Sequence, residues 1–381
     1  MTLADQATVL IPSFPGLRLW EALPWRRREV LPFPFNSTSL RYYYLARNGI
    51  YALAQHWNLR NQEVLFPAYF HGVEVEALIA AGVKLRFYPV DANMRVNVED
   101  IVSLLSSSTR AVYLIHYVGF PGPVDELSTI CRDRGLHLIE DCALALLSRL
   151  GNRPLGSFGD AAVFCLYKTL PIPNGGALWV RDSDAAPWPE TTPPSLMSTV
   201  AYTAMAVWRH LKFNGGFVHG LLQSTRASVR SMSNTLGIAP VSTNDFDLTK
   251  VDLAMSRLCH WVLANQDYGT IVERRRRNYA HLLSRLREVS SPIFDELPPG
   301  VCPLFYPLRT KNKAAVLQRL LERGVEAVNL WSRTPRVVPE GAFPEVESLR
   351  RTILELPCHQ DLDLEAMDWI ADQVRELRAI L

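Results

Sequence analysis

Leu138-Ile139-Glu140-Asp141 and, further on, Phe164-Cys165-Leu166-Tyr167-Lys168 decide how this sequence is read, because each closes an apolar run on an ionisable residue. Short apolar runs rich in β-branched and aromatic residues read as buried strands. A carboxylate at the end of one such strand can pair with a pyridinium nitrogen and keep it protonated. A lysine at the end of a neighbouring strand can form a Schiff base. Asp141 and Lys168 are therefore candidates for holding pyridoxal phosphate, with Gly175-Gly176 leaving the backbone bare beside the lysine. Taken singly, each has a plainer explanation: an N-cap or salt bridge for Asp141, a solvated loop cation for Lys168.

Outward from this pair, residues 48–181 alternate short β-rich runs with helical stretches, the pattern of a mainly parallel sheet with crossover helices and hence of an α/β fold. The strand candidates are residues 64–66, 84–88, 111–115, 136–139, 161–166 and 177–180. Helices are expected over 75–81 before Gly82, over 98–106 behind an Asn97 N-cap, and over 125–134 before Gly135. Residues 183–247 open with Pro187, Pro189, Pro193 and Pro194 and continue into helical sequence rich in Met, Tyr and Trp, which reads as an insertion. Residues 1–247 thus form a large cofactor-binding domain carrying that insertion. Residues 248–381 add a long helical stretch (248–286), a strand (304–308), a helix (313–323), a second strand (326–330) and a final amphipathic helix (364–380), a smaller α+β C-terminal domain. Arg274-Arg275-Arg276-Arg277 in the long helical stretch reads as a solvated face rather than a polyanion site.

Composition narrows the function. At 381 residues and 48% hydrophobic content the chain is globular and long enough for two lobes. With 40 basic and 38 acidic residues its net charge is +2, which gives no pull toward nucleic acid or acidic membranes. The six cysteines are scattered, with no C-x-x-C pair and no histidine cluster at zinc spacing, so no metal site is expected and the thiols read as reduced and cytoplasmic. The N-terminus lacks a signal-peptide pattern, and the most apolar later stretch, 200–208, is far short of the roughly 20 residues that span a bilayer.

Two further segments could complete a cofactor site. Residues 46–53, with Asn48-Gly49, read as a turn opening a helix whose first free N–H groups can bind a phosphate dianion. After Phe66-Pro67-Ala68, Tyr69 or His71 offers a flat side chain to stack on a ring.

The order and spacing of Ile115-His116-Tyr117-Val118-Gly119, Pro121 and Asp125, of Gly135 through Asp141, and of Gly156-Ser157-Phe158-Gly159-Asp160-Ala161-Ala162 resemble the DegT/DnrJ/StrS family of fold type I, pyridoxal-phosphate-dependent sugar aminotransferases. The similarity continues through Asn48-Gly49 and Phe66-Pro67-Ala68 upstream and Leu356-Pro357-Cys358-His359 downstream, covering nearly all of the chain except the insertion. The resemblance implies that Lys168 carries the cofactor and shuttles a proton, that Asp141 holds the ring nitrogen, that the backbone around Gly49, Ile50 and Tyr51 holds the phosphate, and that His71 stacks on the ring. It implies a keto substrate, most naturally a nucleotide-linked sugar, an amino acid donor, and a homodimer with shared sites. This sequence departs from the family at Ile50, which replaces a phosphate-binding hydroxyl, at Leu144, which replaces a Gln or His near the cofactor's phenolic oxygen, and in a shortened segment before Lys168. Asn214 and Asn244 are the candidates for the asparagine that a partner subunit contributes. Within the fold a sugar dehydratase is the alternative, against which Lys168 argues, and a non-catalytic binding or regulatory protein is another.

Overall fold

Strands that read as continuous apolar runs must be covered on both faces, which is the condition of a parallel sheet between helical layers. The computed structural model, which describes residues 10–22, 30–182, 188–214 and 246–381, has that arrangement. Its main elements begin with β1 (Leu40–Tyr43), α1 (Ala46–His56), β2 (Glu63–Pro67), α2 (Val73–Ala80), β3 (Lys84–Tyr88), α3 (Val98–Leu104), β4 (Thr109–Ile115), α4 (Val124–Asp133) and β5 (His137–Asp141). A two-stranded hairpin, β6 (Arg149–Leu150) and β7 (Arg153–Pro154), precedes β8 (Ala161–Cys165), the single turn α5 (Leu166–Thr169) and β9 (Gly176–Val180). The seven-stranded sheet runs β1-β9-β8-β5-β4-β2-β3. Its pairs from β8 through β3 are parallel, and β9 runs antiparallel to both β8 and β1.

Local chemistry sets the element ends. Asn97 accepts a hydrogen bond from Glu99 N at 3.0 Å and caps α3. Gly135 follows α4 with φ +64°, a left-handed position that glycine adopts without strain. The six expected strands all form, and the aromatic run of β1 adds a seventh at the sheet edge.

The second half contains α6 (Leu196–Asn214), α7 (Arg257–Ala264), α8 (Tyr268–Leu286), β10 (Phe305–Arg309), α9 (Lys313–Glu322), α10 (Pro344–Thr352), β11 (Ile353–Pro357) and α11 (Leu364–Glu376). Three expectations are corrected here. The helical stretch expected over 248–286 is broken between α7 and α8, where Asp267 leaves helical geometry and accepts from Thr270 N to cap the new helix. Residues 326–330 form no strand: Val328 makes only a single bridge to Glu355, and the partner of β10 is β11, in antiparallel register Tyr306↔Leu356. The arginine run is solvated only at Arg274 and Arg277. Arg275, 1% exposed, donates to Gln360 Oε1 and to the carbonyls of Pro303, Leu304 and Thr169. Of the expected insertion, α6 is described, and residues 183–187 and 215–245, including Asn244, lie outside the described residues.

One apolar cluster runs from the central sheet (Phe66, Tyr113, Ile139) through α8 (Tyr279, Leu282) to the C-terminal sheet and α11 (Leu354, Leu356, Ile370). The β10–β11 sheet is thereby fixed beside the central one. No helix among the described residues is long and apolar enough to cross a membrane.

Candidate active site

In a parallel sheet the ligand site lies at the carboxyl ends of the strands, where the loops turn into helices. The registers Ile115↔Asp141 and Asp141↔Val163 bring the ends of β4, β5 and β8 level, and all three residues line a cavity of about 440 Å³. The start of α1, the start of α2, the β8–α5 junction, α6 and residues of the C-terminal sheet enclose the rest.

Asp141, at the end of β5, and Lys168, in the single turn α5 that follows the neighbouring β8, both line this cavity; Lys168 lies beyond the strand that its apolar run suggested it would close. Asp141 is 6% exposed; its Oδ2 accepts from the Tyr113 hydroxyl at 2.7 Å and its Oδ1 from Ala143 N at 2.8 Å. Burial pushes its carboxyl above the usual range and the Glu74 carboxyl adds to this, while the Tyr113 and Ala143 hydrogen bonds and the Lys168 charge pull it back. Lys168 makes no hydrogen bond or ion pair among the described residues, and its loop is kept close to α1 by Gly176, whose absent Cβ would fall 2.2 Å from Ala46 N. His71 lines the cavity and is exposed at its rim.

The helix that follows β1 begins at Ala46, so Gly49, Ile50 and Tyr51 occupy its second turn rather than its start. Ile50 lines the cavity, as do Ala46 and Arg47. Gly49 instead packs against the Tyr43 ring and Leu178, where a Cβ would lie at 3.2 Å from each, and Tyr51 packs on Phe246. No side chain caps α1, so its first-turn N–H groups are the ones available to an anion. The Asn48 amide donates to Lys250 O at 2.7 Å, a structural bond.

Leu144 joins Leu304 and Phe305 in a small apolar cluster backed by Phe14, Val328 and Trp331, which makes one wall of the cavity apolar. Several lining residues escaped sequence reasoning. Arg47 and Glu74 are buried near the helix starts, Arg209 of α6 lies over the Phe14 ring at 5.6 Å, and Glu355 sits on β11. For Glu355 a signal existed: it is the one acidic residue inside Ile353-Leu354-Glu355-Leu356.

The buried group of His116, Glu140 and Cys142 is the one place among the described residues with metal-like clustering. Its chemistry is structural. Glu140 accepts from the N–H groups of Gly156, Phe158 and Gly159 at 2.6–2.7 Å and pairs with His116 Nε2 at 3.1 Å, so its oxygens are already used.

Residues 50–188, which include β2 through β9, match the model of the DegT/DnrJ/EryC1/StrS aminotransferase family. That central stretch of the chain is similar to this family. The chain is 26% identical over 82% of its length, and 77% of the other's, to a dTDP-4-dehydro-2,3,6-trideoxy-D-glucose 4-aminotransferase of Saccharopolyspora spinosa. A shorter stretch, 22% of this chain and 20% of the other, is 39% identical to the L-glutamine:scyllo-inosose aminotransferase of Streptomyces griseus. In structure the chain resembles a sugar aminotransferase of Micromonospora echinospora, with a TM-score of 0.65 over 96% of this chain and 100% of that one at 18% identity, a likeness of fold.

DegT/DnrJ/EryC1/StrS aminotransferases depend on pyridoxal phosphate, and the cavity's donor set fits that group. A buried acceptor-only carboxylate in an apolar setting calls for a cationic N–H, an amine without a partner is available for covalent attachment, and an uncapped helix start is suited to a phosphate.

Proposed function

We propose that this aminotransferase moves an amino group from an amino acid to the keto group of a nucleotide-linked sugar, in polysaccharide or natural-product biosynthesis. The observation that carries this reading is that Asp141, at the end of β5, and Lys168, in the turn that follows the adjacent parallel strand β8, line one cavity. The dTDP-linked keto sugar in the Saccharopolyspora spinosa relative's name points the same way, and the L-glutamine in the Streptomyces griseus relative's name is an amino acid donor.

Bound in this cavity, pyridoxal phosphate supplies an electron sink for the substrate carbon that gains or loses the amino group. Asp141 holds the ring nitrogen's proton, and the Tyr113 hydroxyl and Ala143 N–H fix the carboxylate in the orientation that does so. The Lys168 amine would hold the group covalently and would serve as the base that moves a proton at the substrate carbon. The N–H groups at the start of α1 would hold the phosphate, and His71, which lines the cavity, would pack against the ring. The wall of Leu144, Phe305 and Trp331 keeps water from the reacting carbon, while Arg47 and Arg209 supply positive charge for anionic parts of donor and acceptor.

The test is direct. Purified protein mixed with pyridoxal phosphate should develop a visible absorbance band, and borohydride should fix the group onto Lys168 and nowhere in Lys168→Ala. Loss of the band on adding amino acids would identify the donor. Labelling at another lysine, or inertness toward every donor, would overturn the reading.

The same reading makes the protein a cytoplasmic homodimer with shared sites. Six free, buried cysteines agree with a reducing compartment. Leu196, Met197, Val200 and Met205, exposed on α6 next to the cavity, agree with a self-association surface.

A further inference from the structure

Glu355 is 1% exposed, yet its side chain lines the cavity that holds Asp141 and Lys168. Its Oε1 is buried without a hydrogen-bond partner. A buried carboxyl oxygen in that condition is costly unless something else completes it. The protein's own cations do not. The Lys313 ammonium donates to the carbonyls of Leu330 and Arg350, at 2.6 and 3.0 Å, and Lys168 bonds to nothing among the described residues. The backbone beneath Glu355 is rigid: it pairs with Pro307 across the β10–β11 sheet and exchanges two hydrogen bonds with Val328, at 2.8 and 3.0 Å. The carboxyl is thus a fixed polar point in a wall that also holds Val328, Asn329, Leu330 and Trp331, carried by a sheet other than the one that leads into the Lys168 turn.

We propose that Glu355 contacts the acceptor substrate: its carboxyl hydrogen-bonds a ring hydroxyl of the keto sugar and so selects sugars that retain one. This rests on the aminotransferase reading above. The amino donor is the poorer match, because its carboxylate is an anion better met by the positive charge of Arg47 or Arg209, which line the same cavity, than by a neutral carboxyl. Burial raises the Glu355 carboxyl to about 8, with Lys168 and Lys313 opposing, so at neutral pH it carries a proton and can both donate to and accept from a hydroxyl. A site built to hydrogen-bond a hydroxyl rejects the analogue that lacks it, because its own polar group is then left unpaired.

The experiment uses pyridoxal-loaded wild type, Glu355→Gln and Glu355→Ala, with two acceptors that differ only in hydroxyls: dTDP-4-dehydro-2,3,6-trideoxy-D-glucose and the same nucleotide sugar with its 2- and 3-hydroxyls retained. The donor half-reaction, followed by absorbance, should stay within about twofold in both variants. KM for the hydroxylated acceptor, and its Kd by calorimetry, should rise about tenfold or more in Glu355→Ala and less in Glu355→Gln, which keeps hydrogen-bonding capacity. The trideoxy acceptor should be unaffected. Should Glu355→Ala fail to load cofactor, the isosteric Glu355→Gln still decides, since a partial loss of the wild-type preference for the hydroxylated acceptor is expected in it. Equal acceptor KM and Kd in wild type and variants, with the donor half-reaction intact, overturns this inference alone. A fall in both half-reactions also overturns it, assigning Glu355 to Lys168 rather than to substrate. Absence of any donor half-reaction in wild type overturns the aminotransferase reading and this inference with it.

Discussion

The Tyr113 hydroxyl and the Asp141 carboxylate, 2.7 Å apart and fully enclosed, show how one residue's role depends on its neighbours. Removing that hydroxyl leaves a buried carboxylate with one fewer donor and raises the cost of its charge. Tyr113→Phe should therefore lower kcat/KM by about tenfold, with cofactor binding weakened in the same direction. Spectrophotometric titration with pyridoxal phosphate checks this. Glu355 gives a pH signature. Its carboxyl titrates near 4.5 when unfolded and at about 8 when folded, so below 4.5 both states hold the proton and the group is neutral toward stability. As pH rises from 4.5 to 8 the unfolded chain ionises while the folded one cannot, and stability is lost over that window. Ligand-free Glu355→Gln should equal wild type near pH 4.5 and exceed it by a few kcal/mol at most at pH 8. Melting curves across the window test this; a gap that closed as pH rose would contradict it. Tyr113 was not legible as a site residue, because Tyr in an apolar strand reads as core, and the one signal at Glu355, an acid inside a short apolar run, reads equally as a surface edge. Asp141 and Lys168 were legible because both close strand-like runs in the right order.

At the level of elements, motifs that look catalytic turn out to hold the frame. The run Gly156 to Asp160 resembles the family's signature, yet its backbone N–H groups serve the buried Glu140 carboxylate, and Asp160 Oδ2 accepts from Leu138 N at 2.9 Å. These bonds clamp β5 to the loop before β8 and so set the Asp141–Lys168 alignment. Arg275 does similar work from α8, reaching the Thr169 carbonyl next to Lys168 and the entry to β10 at once. Arg275→Ala, which strands several carbonyls, should cost about 3 kcal/mol or more in urea unfolding, whereas Arg274→Ala on the exposed face should cost under about 0.5 kcal/mol. Gly176 permits the closest approach of β9 to the start of α1. Gly176→Ala should destabilise the fold by about 2 to 3 kcal/mol and weaken pyridoxal phosphate binding by displacing the α1 N-terminus. The alternation of strands with capped helices was readable because local patterns encode it. The β10–β11 pairing was not, since residues 326–330 and 353–357 are equally strand-like and the choice between them is a long-range contact.

For the molecule as a whole, the cavity exists because two sheets are held together by one apolar core, with Asp141 and Lys168 on one side and Phe305 and Glu355 on the other. A homodimer is expected, and light scattering of the cofactor-loaded protein should give twice the chain mass. A monomer with cofactor bound would count against shared sites. The sequence by itself determined the α/β class and the parallel sheet, and pointed to the cofactor and to Asp141 and Lys168 as the residues that would bracket it, because buried strands, helix caps and glycine turns are written in neighbouring residues. Only the tertiary structure decided that α1 starts at Ala46, that Leu144 belongs to an apolar wall, and that Glu355 shares a cavity with Lys168. Those facts follow from packing between segments far apart in the chain, and no local pattern carries them.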